Sequence, residues 1–148
     1  MFFSKKQAVK LPAAGGVTAS KDQVTTKRRG DAAEAMASDY LARQGLRLVH
    51  KNFSTPGRGG GEIDLVMSAP DGTLVFVEVR QRSGATHGGA GASITPAKQR
   101  RIVFAARHYL MRFSSLPPCR FDVVLVQGQA GVGEGVQVQW LQSAFDAS

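Results

Sequence analysis

One cysteine in 148 residues, Cys119, leaves the chain no internal disulfide and suits a reducing cytoplasm, the location expected for it. No run of about 18 apolar residues is present, which excludes a spanning helix. The opening Met1-Phe2-Phe3-Ser4-Lys5-Lys6 lacks the apolar segment of a secretory signal. His50, His87 and His108 are scattered, without the spacing of zinc ligands. Gly88-Gly89-Ala90-Gly91 is followed by no Lys-Ser/Thr, so it is not a phosphate-binding loop. Acidic residues are scarce, 11 against 19 Lys/Arg.

The resulting net charge of +8 is unevenly placed. Residues 1–30 hold seven Lys/Arg against Asp22 alone, net +6, while the remainder carries twelve against ten, net +2. A basic tail favours polyanions such as nucleic acid, although a solubilising extension has the same composition. The first 28 residues mix Lys, Gly, Ala, Ser and Thr without apolar period and read as a disordered tail. Residues 29–148 form one domain, with order expected to begin near Asp31.

Within the domain, Ala33, Met36, Ala37, Tyr40 and Leu41 have helical spacing, and Gly45 ends that helix. Leu46–Phe53 reads as a strand and Thr55–Gly60 as a loop. Glu62–Met67 and Leu74–Arg80 are strands joined by a hairpin turn. Ser83–Ser93 is a glycine-rich loop. Thr95-Pro96 then opens a helix with an N-cap residue and a first-turn proline, its buried stripe being Ile102, Ala106, Tyr109, Leu110 and Phe113. Phe121–Val126 and Val136–Leu141 are further strands, with Trp140 in the core. Leu74–Val77 is apolar without alternation, and Phe121–Val126 nearly so, as in strands covered on both faces. A three-layer α/β/α sandwich around a mixed sheet is therefore expected.

Two carboxylates interrupt these apolar strands, Asp64 and Glu78, and a buried carboxylate is costly unless paired or metal-bound. If the turn is the three residues Pro70-Asp71-Gly72, opposed residues have numbers summing to 142 and Asp64 faces Glu78. A two-residue Asp71-Gly72 turn would instead pair Asp64 with Val79. In the first register a divalent cation between the carboxylates relieves their repulsion. Arg80, two residues beyond Glu78, leaves the same strand face.

The pattern Asp64…Glu78-Val79-Arg80 resembles the D…ExK motif of PD-(D/E)xK nucleases, with arginine in the last place. Ala33–Leu41, Gly61–Val66, Phe76–Arg82, Lys98–Ile102 and Arg120–Val124 together resemble the UPF0102 (YraN-like) family of predicted endonucleases, itself similar to archaeal Holliday junction resolvases. The resemblance covers Arg29 to about Phe145 and implies a restriction-endonuclease-like fold. It implies hydrolysis of structured, branched or damaged DNA, with Mg²⁺ (or Mn²⁺) held by Asp64, Glu78 and Glu34, and Arg80 as a further catalytic group. Arginine stays protonated, so Arg80 can stabilise charge but not act as a base. An inert nucleic-acid-binding module with a nuclease fold is the alternative, and a scaffold recruiting a DNA-processing protein is a third.

Nearby polar residues carry competing readings. Asp31 and Glu34 have capping-box spacing, which would give Glu34 a local role. Glu62 reads as an outward strand residue. An ion pair with Arg80 or Arg82 is the structural alternative for Asp64 and Glu78. Lys98, Arg100 and Arg101 lie off the apolar stripe and, with Arg82, are expected to contact nucleic-acid phosphates. Gln81 and Gln99 are expected to support the site from behind. Nucleic acid, DNA first, is the expected partner. A second copy of the chain stays open.

Overall fold

A computed structural model describes residues 21–57, 59–82, 94–128 and 135–147, with side chains described from Gly30 onward. The glycine-rich loop at 83–93, including His87, and residues 1–20 of the expected tail lie outside these residues. Among the described residues the chain forms α1 (Lys21–Arg43), β1 (Arg47–Ser54), β2 (Glu62–Ser68), β3 (Leu74–Arg82), α2 (Pro96–Leu110), β4 (Cys119–Gln127) and β5 (Gln137–Phe145). This is a mixed α/β fold. The strands lie in sequence order, β1-β2-β3-β4-β5, with β3–β4 parallel and the other neighbours antiparallel. The parallel pair requires a crossover, which α2 supplies.

The two helices bury different parts of the sheet. Ala33, Ala37 and Leu41 of α1 pack with Leu65, Met67, Val75, Val77, Val124 and Val126. Ile102, Val103, Ala105, Ala106 and Tyr109 of α2 pack with Val66, Leu74, Phe76 and Phe121. Alternation along β3 thus sends Val75 and Val77 towards α1, and Leu74 and Phe76 towards α2. The glycine stop is as expected: Gly45 has φ +101°, and Leu46 N–H donates to the Leu41 carbonyl at 3.0 Å. Thr95 caps α2, its hydroxyl accepting from Lys98 N–H at 3.1 Å, with Pro96 next.

Beyond shifts of one or two residues at strand ends, three assignments differ from the sequence reading. Helix α1 starts at Lys21, so the expected start near Asp31 falls inside it. That extension carries Thr25, Thr26, Lys27, Arg28, Arg29 and Gly30, no apolar stripe and a glycine that disfavours helix by about 1 kcal/mol, so periodicity cannot reveal it. Phe113 lies past the end of α2 and is 36% exposed, outside the stripe assigned to it. Strand β5 continues beyond Leu141 to Phe145, which stacks on Phe121 at 5.0 Å between ring centroids.

The entry to β2 is tightly fitted. A Cβ at Gly61 would collide with the Arg101 carbonyl of α2, and Gly61 N–H donates to Thr55 Oγ1 at 2.8 Å. Gly61→Ala is therefore expected to lose about 1–3 kcal/mol of stability, the usual range for overpacking. Urea denaturation measures this, and a midpoint unchanged from wild type would show that α2 does not press on β2.

Candidate active site

The hairpin decides which residues meet. Leu65 pairs with Val77, Val66 with Phe76, Met67 with Val75 and Ser68 with Leu74. Ala69 N–H donates to the Thr73 carbonyl at 2.9 Å, and Gly72 N–H to the Ala69 carbonyl at 2.9 Å. Gly72 adopts φ +92°, and Asp71 Oδ1 accepts from Thr73 N–H at 3.0 Å. These bonds define the three-residue Pro70-Asp71-Gly72 loop and exclude the two-residue register. Carried one step further, the pairing sets Asp64 against Glu78.

The two side chains hydrogen-bond to each other. Glu78 is only 8% exposed, and burial pushes its carboxyl up to about 8, with the Asp64 charge adding to the rise. Burial also raises Asp64, opposed by the Val79 N–H that donates to its Oδ2 at 2.8 Å and by the bond from Glu78. At neutral pH the pair thus retains one proton, with the Glu78 hydroxyl donating to the Asp64 carboxylate.

Lys98 is the nearby cation. Its Nζ lies 3.6 Å from Glu78 Oε2, and its side chain is 35% exposed. The first turn of α2 therefore points a lysine at the carboxyl pair, a placement the sequence reading assigned only to phosphate contact. Arg80 lies on the Glu78 face of β3, half-buried, and opposes the rise at Glu78 less than Lys98 does.

Glu34 stands further off. Burial raises its carboxyl, the Asp64 charge raises it further, and a hydrogen bond with Asn52 opposes both. Asn52 adopts φ 54° within β1. Asp31 is inside α1, so it is no helix-start residue for Glu34 to cap. Among the described residues no three His, Cys, Asp or Glu side chains converge on a common metal position. Asp64 and Glu78 are brought together; Glu34 is near enough to feel Asp64 but does not complete a three-ligand cluster.

The remaining assignments separate. Glu62 is exposed, as expected for an outward residue. Gln99 Nε2 donates to the Ile94 carbonyl at 2.8 Å, so it anchors the approach to α2. Gln81 is half-buried on β3, and Arg82 has a buried Nε without a hydrogen-bond partner among the described residues. Arg100 and Arg101 are exposed on α2. Arg100, Arg107, Phe104 and Asp146 line a cavity of about 450 Å³ on the flank of that helix.

Asp122 has no role in the sequence reading and is densely bonded. Fully buried in β4, it accepts from Arg120 Nε at 3.1 and 3.2 Å, Trp140 Nε1 at 2.9 Å and Ser143 N–H at 2.9 Å. Ser143 has φ 51° beside a register shift in the β4–β5 pairing, so Asp122 fixes an irregular strand segment. Its signal was available: Arg120 sits two residues away on the same strand face. Asp64 and Glu78 are held differently, by each other, by the Val79 N–H and by the nearby Lys98.

Two carboxylates on adjacent strands are hard oxygen donors suited to Mg²⁺ or Mn²⁺. The Asp64 charge is the second cause of the rise at Glu78, so a divalent cation between the two would relieve the same repulsion that the proton relieves, and the donor set fits it.

Comparison with known proteins places the same residues in a family. The Uncharacterised protein family UPF0102 matches residues 33–126. The UPF0102 protein of Polaromonas sp. strain JS666 is 69% identical over 150 residues, and that of Polaromonas naphthalenivorans 67% over 153, each covering 100% of both chains. The UPF0102 protein of Albidiferax ferrireducens is 63% identical over 128 residues, covering 86% of this chain and 94% of its own.

Proposed function

Because the chain belongs to the UPF0102 family over the stretch that holds its acid site, we propose that it is a metal-dependent nuclease hydrolysing phosphodiesters in structured, branched or damaged DNA. The observation carrying this reading is the buried Asp64–Glu78 pair, two carboxyls hydrogen-bonded to each other on adjacent strands with Lys98 Nζ 3.6 Å from Glu78 Oε2. In this reading the fold is a three-layer α/β/α sandwich of the restriction-endonuclease type, similar to Holliday junction resolvases. The mixed sheet and the separate packing of α1 and α2 support it.

Asp64 and Glu78 would hold the cation, which when bound lowers the pKa of a water and offsets charge on the phosphate. The chain's own part begins with the Val79 N–H, which fixes the orientation of Asp64. Glu78 would release the proton it shares to solvent as the cation takes its place. Arg80, always charged, places positive charge beside the reacting phosphate without taking part in proton transfer. Exposed Arg100 and Arg101 contribute sequence-independent contacts to the backbone.

Incubation with four-way junctions, flapped duplexes and single strands in Mg²⁺ or Mn²⁺ tests the reading. Wild type is expected to cut at least one, Asp64→Asn none, and Arg80→Ala about a hundredfold more slowly, while Arg80→Lys retains activity. Binding in Ca²⁺ should persist in Asp64→Asn. Tight binding without cleavage of any structure would replace the enzyme with a nucleic-acid-binding module. Neither binding nor cleavage would remove both readings.

A further inference from the structure

We propose that Lys98 is the cationic member of this acid site: it holds Glu78 while no metal is bound and faces the scissile phosphate once one is. The assignment rests on the nuclease reading for the second half of that statement and on geometry alone for the first.

Several features place Lys98 there independently of the strand motif. Its Nζ is 3.6 Å from Glu78 Oε2, and Glu78 lies against Asp64. Its backbone is fixed by two adjacent residues, since Lys98 N–H donates to Thr95 Oγ1 at 3.1 Å and Pro96 opens the helix. The contact between Gly61 and the Arg101 carbonyl seats the start of α2 against the entry to β2, the strand that carries Asp64. Lys98 is thereby delivered from a rigid element, yet its side chain stays 35% exposed and free to turn towards solvent. A lysine in a purely structural bridge would need no such access. A lysine that changes partners would. When a divalent cation joins the carboxylates, the ammonium is repelled from them, and the phosphate arriving at the cation is the nearest anion it can take instead.

This gives two measurements that do not depend on turnover. Without DNA, Lys98→Met is expected to bind Ca²⁺ on the order of tenfold more tightly than wild type, because a competing positive charge is gone. With DNA in Ca²⁺, the same variant is expected to lose about one unit of slope in a plot of log affinity against log salt, the signature of one lost phosphate contact. Lys98→Arg should restore both towards wild type. Cleavage by Lys98→Met, with the DNA saturating, should fall about a hundredfold.

Unchanged Ca²⁺ affinity in Lys98→Met would overturn the assignment to the acid site. Tighter Ca²⁺ binding with an unchanged salt slope would overturn the exchange of partners. Should wild type cleave nothing while both binding effects appear, the enzyme reading fails and the placement of Lys98 stands. Thermal melting of Lys98→Met confirms that the comparison is made on folded protein.

Discussion

Between pH 5 and 8 the cation-free protein is expected to lose stability, and Glu78→Gln is expected to remove most of that loss. The sign follows from one carboxyl. Glu78 has an ordinary value of 4.5 and is raised to about 8 in the fold, chiefly by burial and then by Asp64. Throughout that window the folded chain holds a proton that the unfolded chain has released. The stabilisation is complete below about 4.5 and is lost as the pH rises through 8. For a single proton the slope is about 1.4 kcal/mol per pH unit, several kcal/mol across the window. Asp64 is shifted in the same direction, so its own contribution is likewise lost as the pH rises above its ordinary value of 3.8. Glutamine keeps the shape of Glu78 and still offers Asp64 an N–H, but has no proton to lose. Binding of Mg²⁺ competes with that proton, so metal affinity should climb about tenfold per pH unit until Glu78 is ionised. Melting curves at four pH values, with and without Mg²⁺, check both effects. Wild type and Glu78→Gln melting in parallel at every pH would mean that Glu78 holds no extra proton.

The second large effect belongs to Asp122. Asp122→Ala is expected to cost about 3–5 kcal/mol, the range for removing one partner of a buried ion pair. Arg120 Nε, Trp140 Nε1 and Ser143 N–H would all lose their acceptor together. Asn at this position retains an acceptor oxygen but not the charge opposite Arg120, so Asp122→Asn should fall between the two. Trp140 is the sole tryptophan, so its fluorescence reports the same event as chemical denaturation. A loss below 1 kcal/mol would mean that β5 is held by its ladder alone. The Asp64–Glu78 contact lies outside this network and should survive at temperatures where the variant is folded.

The acid pair was legible because a single turn governs it. Asp71-Gly72 restricted the hairpin to two registers, and repulsion between carboxylates distinguished them chemically before the bond from Ala69 to Thr73 did so geometrically. The apolar runs of β3 and β4 and the Thr95-Pro96 start of α2 were equally plain, being local patterns. Lys98 was not, because its significance depends on where the start of α2 lands over Glu78, twenty residues before that lysine. Neither the Glu34–Asn52 bond nor the Asp122–Trp140 bond could be read from spacing, since one depends on how α1 packs on β1 and the other on the β4–β5 register. The added turns of α1 before Gly30 escaped for another reason: they carry no apolar face for periodicity to find.

The strand order also separates the site in folding time. Asp64 and Glu78 sit fourteen residues apart in one hairpin, whose closure involves only nearby chain. Such units form within about 1–10 μs. The parallel β3–β4 pairing instead waits for a crossover through α2 to bring distant segments together. Lys98 rides on that crossover. During folding, then, the hairpin is expected to bring the two carboxylates together before the crossover delivers their cation, at a stage when burial has yet to raise Glu78.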